Sequence, residues 1–210
     1  MSWITLRKAR NNMVKPNNYD EVKASGEFTP VELGGHKMVV KKVEERMSST
    51  NKPMIVVFFD FDKSDKQPDY FMESYKNDIR PDKKWSNQAT QYILSEDPDG
   101  NCSRNFKTFC SCIENSNPGF SCWKNDNTFD FDGIKNKKIG GVFGEQMDFY
   151  NGEEKKKRVL RWFVSIDKVS SAEVPAMSYS SAYRNRPQDV SADPDGFMNI
   201  PDGIEDLPFN

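Results

Sequence analysis

The stretch that decides the fold is PMIVVFFDFD, residues 53–62. Large apolar side chains recur there at every second position, which is the period of a β-strand. These side chains are Ile55, Val57, Phe59 and Phe61. The middle of the stretch is almost wholly apolar, whereas its end alternates with Asp60 and Asp62. The pattern predicts a strand that crosses the core and leaves both carboxylates at an exposed strand end.

Strand patterns also lie on both sides of this stretch. Before it, a turn at residues 33–35 (LGG) precedes the Val-rich residues 36–46, which predict a strand. One face of that strand would carry Val39, Lys41, Val43 and Glu45. After it, residues 69–75 (DYFMESY) predict a third strand. Three consecutive strands are therefore expected in the first half of the chain.

A helix and a hairpin follow a long polar connection at residues 76–101. Residues 103–115 place apolar side chains at helical spacing, and the sequence Asn-Pro-Gly at 117–119 ends the predicted helix. The apolar positions are Phe106, Phe109, Cys110 and Ile113. Two further strands are predicted, at residues 139–150 and 158–169. They are joined by the Asn-Gly dipeptide at 151–152, which is typical of hairpin turns, and by the charged run 153–157.

This order of elements predicts a mainly β fold: a five-stranded OB-like barrel with one helix between strands 3 and 4. Another small barrel or a β-sandwich would also accommodate a row of short strands. We expect residues 1–30 to form an N-terminal arm and residues 31–170 the barrel domain. Residues 171–210 lose all periodicity and are rich in Ser, Ala, Pro, Asp and Gly, so a largely disordered acidic tail is expected.

Charge is distributed unevenly along the chain. Residues 187–210 contain six acids and no Lys or Arg, so they carry a net charge of −6. The whole chain has 30 bases and 32 acids, so residues 1–186 contain 30 bases and 26 acids and carry a net charge of +4. A basic body with an acidic tail indicates an anion-binding domain, although such a tail can also be only solubilising. No apolar run reaches the length of a membrane span, and the first residues lack a signal-peptide pattern, so a cytoplasmic protein without membrane contact is expected.

Catalytic and metal-binding patterns are weak. The single histidine, His36, offers only one place to build a nucleophile system that depends on histidine. Four cysteines, at positions 102, 110, 112 and 122, lack the paired spacing of zinc sites, so free core thiols are expected. Acids at positions 60, 62, 130, 132 and 145 have no spacing that would gather them around one ion. We therefore expect no enzyme activity, no metal and no cofactor.

Cations interleaved with aromatic residues are the pattern that single-stranded nucleic acid requires, because cations follow the phosphates and bases stack on aromatic faces. The candidate residues are Lys41, Lys42, Arg46, Tyr70, Phe71, Arg80, Lys83, Lys84, Trp85, Lys156, Arg158, Arg161 and Trp162. Phe71 and Trp162 alternate with polar residues, which favours core packing for both. Trp85 lies beside two lysines in a charged segment, so it either stacks on bases or pins the loop down.

Several motifs occur together in this chain: FKTF at 106–109, IENSNPGF at 113–120 and KIGGVFGE at 138–145, with a Gly-Gly pair at 34–35. They resemble a phage-borne family of small proteins that are encoded beside recombination and replication genes and are taken to bind single-stranded DNA. The similarity covers roughly residues 30–170. Membership implies binding with little sequence preference during phage replication or recombination, in the cytoplasm of a bacterial host. Barrels of this type often associate, which implies a possible homo-oligomer.

The residues before Asn210 are Glu205, Asp206, Leu207, Pro208 and Phe209. They resemble the acidic tip of bacterial single-stranded DNA-binding proteins, in which acids precede an apolar residue, Pro and a final Phe. The resemblance implies docking of replication or recombination proteins by Asp202, Glu205, Asp206, Leu207, Pro208 and Phe209. This chain departs from that pattern because Asn210 follows Phe209 and displaces the terminal carboxylate. The alternative from another class is a protein-interaction or scaffold module without affinity for nucleic acid.

Overall fold

The structure is a computed structural model that describes residues 14–17, 19–20 and 29–186 of the 210-residue chain. Its strands are β1 (Gly34–Met47), β2 (Pro53–Phe61), β3 (Thr90–Leu94), β4 (Lys138–Tyr150), β5 (Glu153–Val164) and β6 (Ser178–Tyr179). Its helices are α1 (Tyr70–Asn77), α2 (Arg104–Ser116) and α3 (Ser181–Arg184). None of the described helices has the length and apolar character needed to span a bilayer.

One six-stranded sheet organises the molecule. The hydrogen-bonded order is β3-β2-β1-β4-β5 with every pair antiparallel, and β6 adds to β4 in parallel. Within residues 29–186, no backbone ladder joins β3 to β5, so the sheet does not close on itself through strand pairing. The side-chain amide of Gln88, just before β3, instead donates to the carbonyl oxygen of Arg158 on β5 at 2.8 Å.

The predicted second strand is confirmed as β2, and its four alternating apolar side chains are all buried. The same is true of α2, whose Phe106, Phe109, Cys110 and Ile113 face the core. Ser103 caps α2 by accepting from the backbone N–H of Phe106, and Asn117 ends the helix as expected. A second apolar layer thus covers the inner face of the sheet.

A β-bulge in β1 corrects the predicted face of this strand. Val40 pairs with Phe59 but Lys42 pairs with Phe58, so β1 contains one extra residue at Lys41. An extra residue shifts the alternation by one position. Met38 and Val40 are therefore buried before the bulge and Val43 after it. The single face of Val39, Lys41, Val43 and Glu45 expected from the sequence was wrong.

The predicted third strand is wrong, because residues 70–77 form helix α1. Buried Asp60 accounts for the difference: its carboxylate accepts the backbone N–H groups of Phe71 at 2.9 Å and Met72 at 3.2 Å. These are N–H groups of the first turn, which no helical carbonyl can satisfy. Asp60 and Asp62 are 0% and 9% exposed, so the expected exposed strand end is also wrong. The third strand lies at β3, inside the predicted polar connection.

The hairpin prediction is confirmed. Asn151 and Gly152 both have positive φ, 52° and 80°, as the two central residues of a type I′ turn require. The charged run at 153–157 belongs to strand β5 rather than to a loop, because it pairs with β4 back to Tyr150. Beyond the hairpin, residues 171–186 are not the disordered segment expected, since β6 and α3 lie there against β4. Residues 187–210 and most of the N-terminal arm lie outside the described residues.

A buried pair of ionisable side chains lies beside the start of β1. His36 is fully buried and stacks on Phe61, and its Nδ1 lies 2.9 Å from a carboxylate oxygen of Asp65. Its Nε2 lies 3.0 Å from the carbonyl oxygen of Glu32. Both ring nitrogens thus face oxygen atoms of neighbouring residues, which fixes the orientation of the ring. Burial raises the pKa of Asp65, but hydrogen bonds from His36 and from the backbone of Gln67 and Lys37 outweigh it and leave that pKa lowered.

Replacing Asp65 tests this pair. Asp65→Asn should lower the free energy of unfolding by about 3 kcal/mol near pH 7, because it removes a buried carboxylate that accepts hydrogen bonds from the backbone of Lys37 and Gln67 and pairs with His36. A carboxyl with a lowered pKa contributes stability above its unfolded pKa of about 4 and loses it as the pH falls through the folded value. The difference from the unsubstituted protein, measured by urea denaturation, should therefore shrink below about pH 4. A difference that stays constant from pH 7 to pH 3 would contradict the pair.

Candidate functional site

The outer face of β3, β2 and β1 is the most distinctive surface of the described structure. We define it by the side chains that alternate away from the core: Thr90, Tyr92 and Leu94 on β3, Met54, Val56 and Phe58 on β2, and Lys42, Glu44 and Arg46 on β1. The registers align these residues in three cross-strand rows. Phe58 lies between Lys42 and Thr90, Val56 between Glu44 and Tyr92, and Met54 between Arg46 and Leu94.

The centre of the outer face is apolar and aromatic. Tyr92 is 57% exposed and Leu94 40% exposed, and both belong to β3, a strand at the edge of the sheet. Phe58 and Met54 are half-buried, and Val56, which lies between them on β2, is fully buried. Exposed large apolar side chains that adjoin one another, unlike scattered ones, mark a surface that binds something.

Cations border this apolar strip along β1. Lys42 and Arg46 are exposed, and both bind the carboxylate of Glu44 between them. The hydrogen bond from Lys42, followed by that from Arg46, lowers the pKa of Glu44. Lys41, in the bulge, lies 3.9 Å from buried Asp60, whose pKa is raised by burial despite its backbone hydrogen bonds. The bulge therefore directs Lys42 and Arg46, but not Lys41, to the border of the strip.

A second exposed aromatic, Trp162, lies across the unpaired edges of β3 and β5. Trp162 is 45% exposed, so the expectation that it packs in the core is wrong. Trp162 and Tyr92 line one cleft of about 80 Å³, together with Arg161 and side chains of α2. Arg161 donates to the carbonyl oxygen of Ala176 at 3.2 Å, which holds its guanidinium beside this edge. The gap in the sheet thus has an aromatic side chain on either side.

Three other residues predicted to contact DNA line a separate cleft of about 440 Å³. Tyr70, Lys156 and Arg158 line it, with Gln88 between them and β3. Arg158 donates to the carbonyl oxygen of Val31, and Lys156 lies 3.3 Å from a carboxylate oxygen of Glu145. Burial raises the pKa of Tyr70, whose ring packs on Phe61 and Phe71. These residues form a polar cleft beside the start of the β4–β5 hairpin.

The remaining predicted residues are not brought into either site. Phe71 is 1% exposed and belongs to the core, so its assignment as a DNA contact is wrong. Arg80 binds Asp78, and the hydrogen bond from Arg80 lowers the pKa of that carboxyl to about 2. Lys83 lies over the ring of Tyr75 at 4.7 Å, and Lys84 is exposed. These cations surround the loop that precedes β3.

Trp85 packs against the core from this same loop. Its ring centroid lies 5.7 Å from that of Tyr75, and its Nε1 donates to the carbonyl oxygen of Ala89 at 3.2 Å. These contacts favour the alternative in which Trp85 holds the loop in place. Base stacking by Trp85 stays a prediction. The tail residues proposed for partner docking lie outside the described part of the chain.

Sequence reasoning missed Tyr92, Leu94 and Phe58. The signal was present in TQYIL, residues 90–94, which has strand-forming residues with a buried Ile93 between two outward side chains. The charged residues that precede this stretch led to the assignment of all of residues 76–101 to a polar connection, so the strand was missed. Only the pairing of β3 with β2 shows that Tyr92 and Phe58 share a face.

The acids and thiols do not assemble into a metal site in the part of the chain that the structure describes. No group of three or more His, Cys, Asp or Glu side chains is positioned to hold an ion there. Asp130 accepts from the backbone of Gly133, whereas Glu145 binds Lys156. All four cysteines carry free thiols. Cys110 and Cys122 are buried, and their mutual hydrogen bond, followed by burial, raises the pKa of Cys122.

The contrast between Trp85 and Trp162 is testable by conservative substitution. Trp85→Phe should lower the free energy of unfolding by about 1–2 kcal/mol, because it removes a hydrogen bond and leaves the carbonyl of Ala89 unsatisfied. Trp162→Phe should change it by no more than about 0.5 kcal/mol, as is usual at an exposed position. Urea denaturation followed by circular dichroism measures both. Equal losses in the two variants would contradict the assignment of Trp85 as a loop anchor.

No protein-family model matches this chain, and no curated protein matches it significantly. The outer face, its bordering cations and the two clefts are therefore the observations from which a function is inferred.

Proposed function

We propose that this protein binds single-stranded DNA with little sequence preference and does no chemistry on it. The observation that carries the proposal is the outer face, where exposed Tyr92 and Leu94 adjoin half-buried Phe58 and lie two strands away from Lys42 and Arg46. Aromatic faces that stack on bases beside cations that neutralise phosphates are the combination used by proteins that bind single strands without reading sequence. Trp162 extends the aromatic surface across the gap between β3 and β5.

The fold class supports the same proposal. A three-stranded meander, a helix and a hairpin, with β1 pairing to both β2 and β4, is the connectivity of the OB barrel. We propose an OB-like barrel left open between β3 and β5, where Gln88 provides the only described side-chain bridge to the β5 backbone. In that fold the face of strands 2 and 3 commonly binds oligonucleotides, and this is the face on which Phe58 and Tyr92 lie.

The biological setting is also proposed. A phage protein of replication or recombination, acting in the bacterial cytoplasm, fits the resemblance of residues 106–120 and 138–145 to the phage family. The acidic end, from Asp202 to Phe209, would recruit partner proteins, since a segment of apolar anchors framed by acids suits a pocket with a basic rim. Association into a homo-oligomer would lengthen the path available to the strand.

Aromatic substitutions on the outer face should weaken DNA binding. Tyr92→Ala and Trp162→Ala should each lower the affinity for labelled oligo-dT by about 5- to 150-fold, because each lost stack contributes about 1–3 kcal/mol. Fluorescence anisotropy at fixed ionic strength measures the change. Trp123→Ala is the matched control, since Trp123 has the same 45% exposure as Trp162 but lies in a different groove. Equal losses for Trp123 and Trp162, or no binding by the unsubstituted protein, would favour the interaction-module alternative.

Lys42 and Arg46 of β1 should contribute to the salt dependence of DNA affinity. For single strands, each neutralised phosphate contributes about −0.7 to the slope of log affinity against log salt concentration. The double substitution Lys42→Ala with Arg46→Ala should therefore flatten the slope by about 1.4, with titrations between about 50 and 200 mM salt. Lys63→Ala with Lys76→Ala, two exposed lysines outside the outer face, is the control and should leave it unchanged. An unaltered slope in the β1 variant would remove these two residues from the site.

A further inference from the structure

An apolar groove of about 710 Å³ lies at the end of the sheet where β1 finishes and β2 begins. Its floor is aromatic: Phe106 of α2 contacts Trp123 edge to ring and Phe129 at a tilt, and Phe129 contacts Phe131. Trp123 is 45% exposed on its wall. A groove of this volume is within the range that accommodates a ligand or several side chains of a peptide.

The charged residues that line the groove are both acidic. They are Glu45 at the end of β1 and Glu96 just after β3, and both are exposed. Neither carboxylate forms an ion pair with any residue in the described ranges 14–17, 19–20 and 29–186. An apolar floor with two unpaired acids at its edge suits an occupant that combines apolar anchors with positive charge.

The acidic edge of the groove disfavours two other occupants, a nucleic acid and the C-terminal segment of the chain. Phosphates of a nucleic acid would approach Glu45 and Glu96 with like charge, which opposes binding. The C-terminal residues 187–210 carry six acids and no base, so the same repulsion acts on them. The groove is therefore distinct in its electrostatics from the outer face, where Lys42 and Arg46 border the apolar strip.

The N-terminal segment of the chain has the required composition. Residues 2–10, SWITLRKAR, contain Trp3, Ile4 and Leu6 followed by three bases, Arg7, Lys8 and Arg10. The first acid of the chain is Asp20. Three apolar side chains and three adjoining cations match the aromatic floor and the acidic edge of the groove.

The segment is long enough to reach the groove of its own molecule. Thr29 lies beside Gln67 and Tyr70, in the region that follows the end of β2, whereas the groove contacts Pro53 at the start of β2. The nine residues of β2 span about 30 Å. Residues 20–28, which follow the turn closed by the hydrogen bond from the N–H of Tyr19 to the carbonyl oxygen of Pro16, can by themselves span about 30 Å when extended. Covalent connection also raises the effective concentration of the segment near its own groove to the millimolar range.

We propose that the groove formed by Phe106, Trp123, Phe129 and Phe131 binds residues 2–10 of the same molecule. Trp3, Ile4 and Leu6 lie on the aromatic floor, and Arg7, Lys8 and Arg10 pair with Glu45 and Glu96. This docking does not depend on DNA binding, and it gives the groove an occupant that belongs to the chain itself.

Photo-cross-linking of the full chain tests the docking. With p-benzoylphenylalanine in place of Ile4, irradiation should join position 4 to peptides that contain residues 53–55 or 123–131. Mixing ¹⁵N-labelled with unlabelled protein before irradiation distinguishes docking within one molecule from docking between two molecules. Docking within one molecule yields only cross-linked peptide pairs in which both peptides carry the same nitrogen isotope. Mass spectrometry of the digest measures both the site and the pairing. Cross-links elsewhere, or pairs of mixed isotope, would overturn the proposal.

Charge reversal provides the second measurement. Glu45→Lys with Glu96→Lys should lower the cross-link yield about fivefold, because two exposed ion pairs are lost. Adding Arg7→Glu, Lys8→Glu and Arg10→Glu should restore it, which a merely misfolded groove could not do. Glu153→Lys with Glu173→Lys, at exposed acids away from the groove, is the matched control and should leave the yield unchanged. A yield indifferent to the charge at 45 and 96, or no rescue, would also overturn the proposal.

Discussion

The extra residue at Lys41 in β1 is the constraint on which the rest of the structure depends. Before the bulge, Met38 and Val40 face the core; after it, Val43 does. Without the bulge the alternation would turn Lys42, Glu44 and Arg46 inward, where unpaired charges are costly. The strand pairs with β4 over residues 34–39 and with β2 over residues 38–47, so the bulge lies beyond its ladder with β4. The bulge thus sets the cationic border of the outer face.

Buried charges at the end of β2 explain how the segment after it is held. Asp60 accepts the N–H groups at the start of α1, and Asp65 accepts from His36 and from the backbone of Lys37. These carboxylates lie beside an aromatic cluster that includes Phe61 and Phe71, where an unsatisfied charge would be expensive. Their hydrogen bonds tie the connection between β2 and α1 to β1. Tyr70, at the first position of α1, is thereby brought to the cleft beside Arg158.

Two apolar surfaces meet at Met54 and differ in charge. Met54 is on the outer face through its pairing with Arg46 and Leu94, and it also lines the groove that contains Trp123. The outer face is bordered by Lys42 and Arg46, whereas the groove is bordered by Glu45 and Glu96. Electrostatic complementarity directs each surface to a different kind of partner even where the apolar contacts are similar. As proposed, these surfaces would place a nucleic acid and the basic N-terminal segment side by side.

The sequence alone determined the elements whose periodicity is strong and whose ends carry turn chemistry. Strand β2, helix α2 and the Asn151-Gly152 hairpin belong to this group, because alternation of apolar residues, a Ser cap and a turn with positive φ are local properties. Tertiary structure alone decided between helix and strand for two short segments, residues 70–77 and 90–94. Asp60 stabilises the first turn of one, and hydrogen bonds to β2 hold the other as a strand. It also decided the face of Lys42, the exposure of Trp162 and the packing of Trp85, since these depend on a bulge and on contacts between residues far apart in the chain.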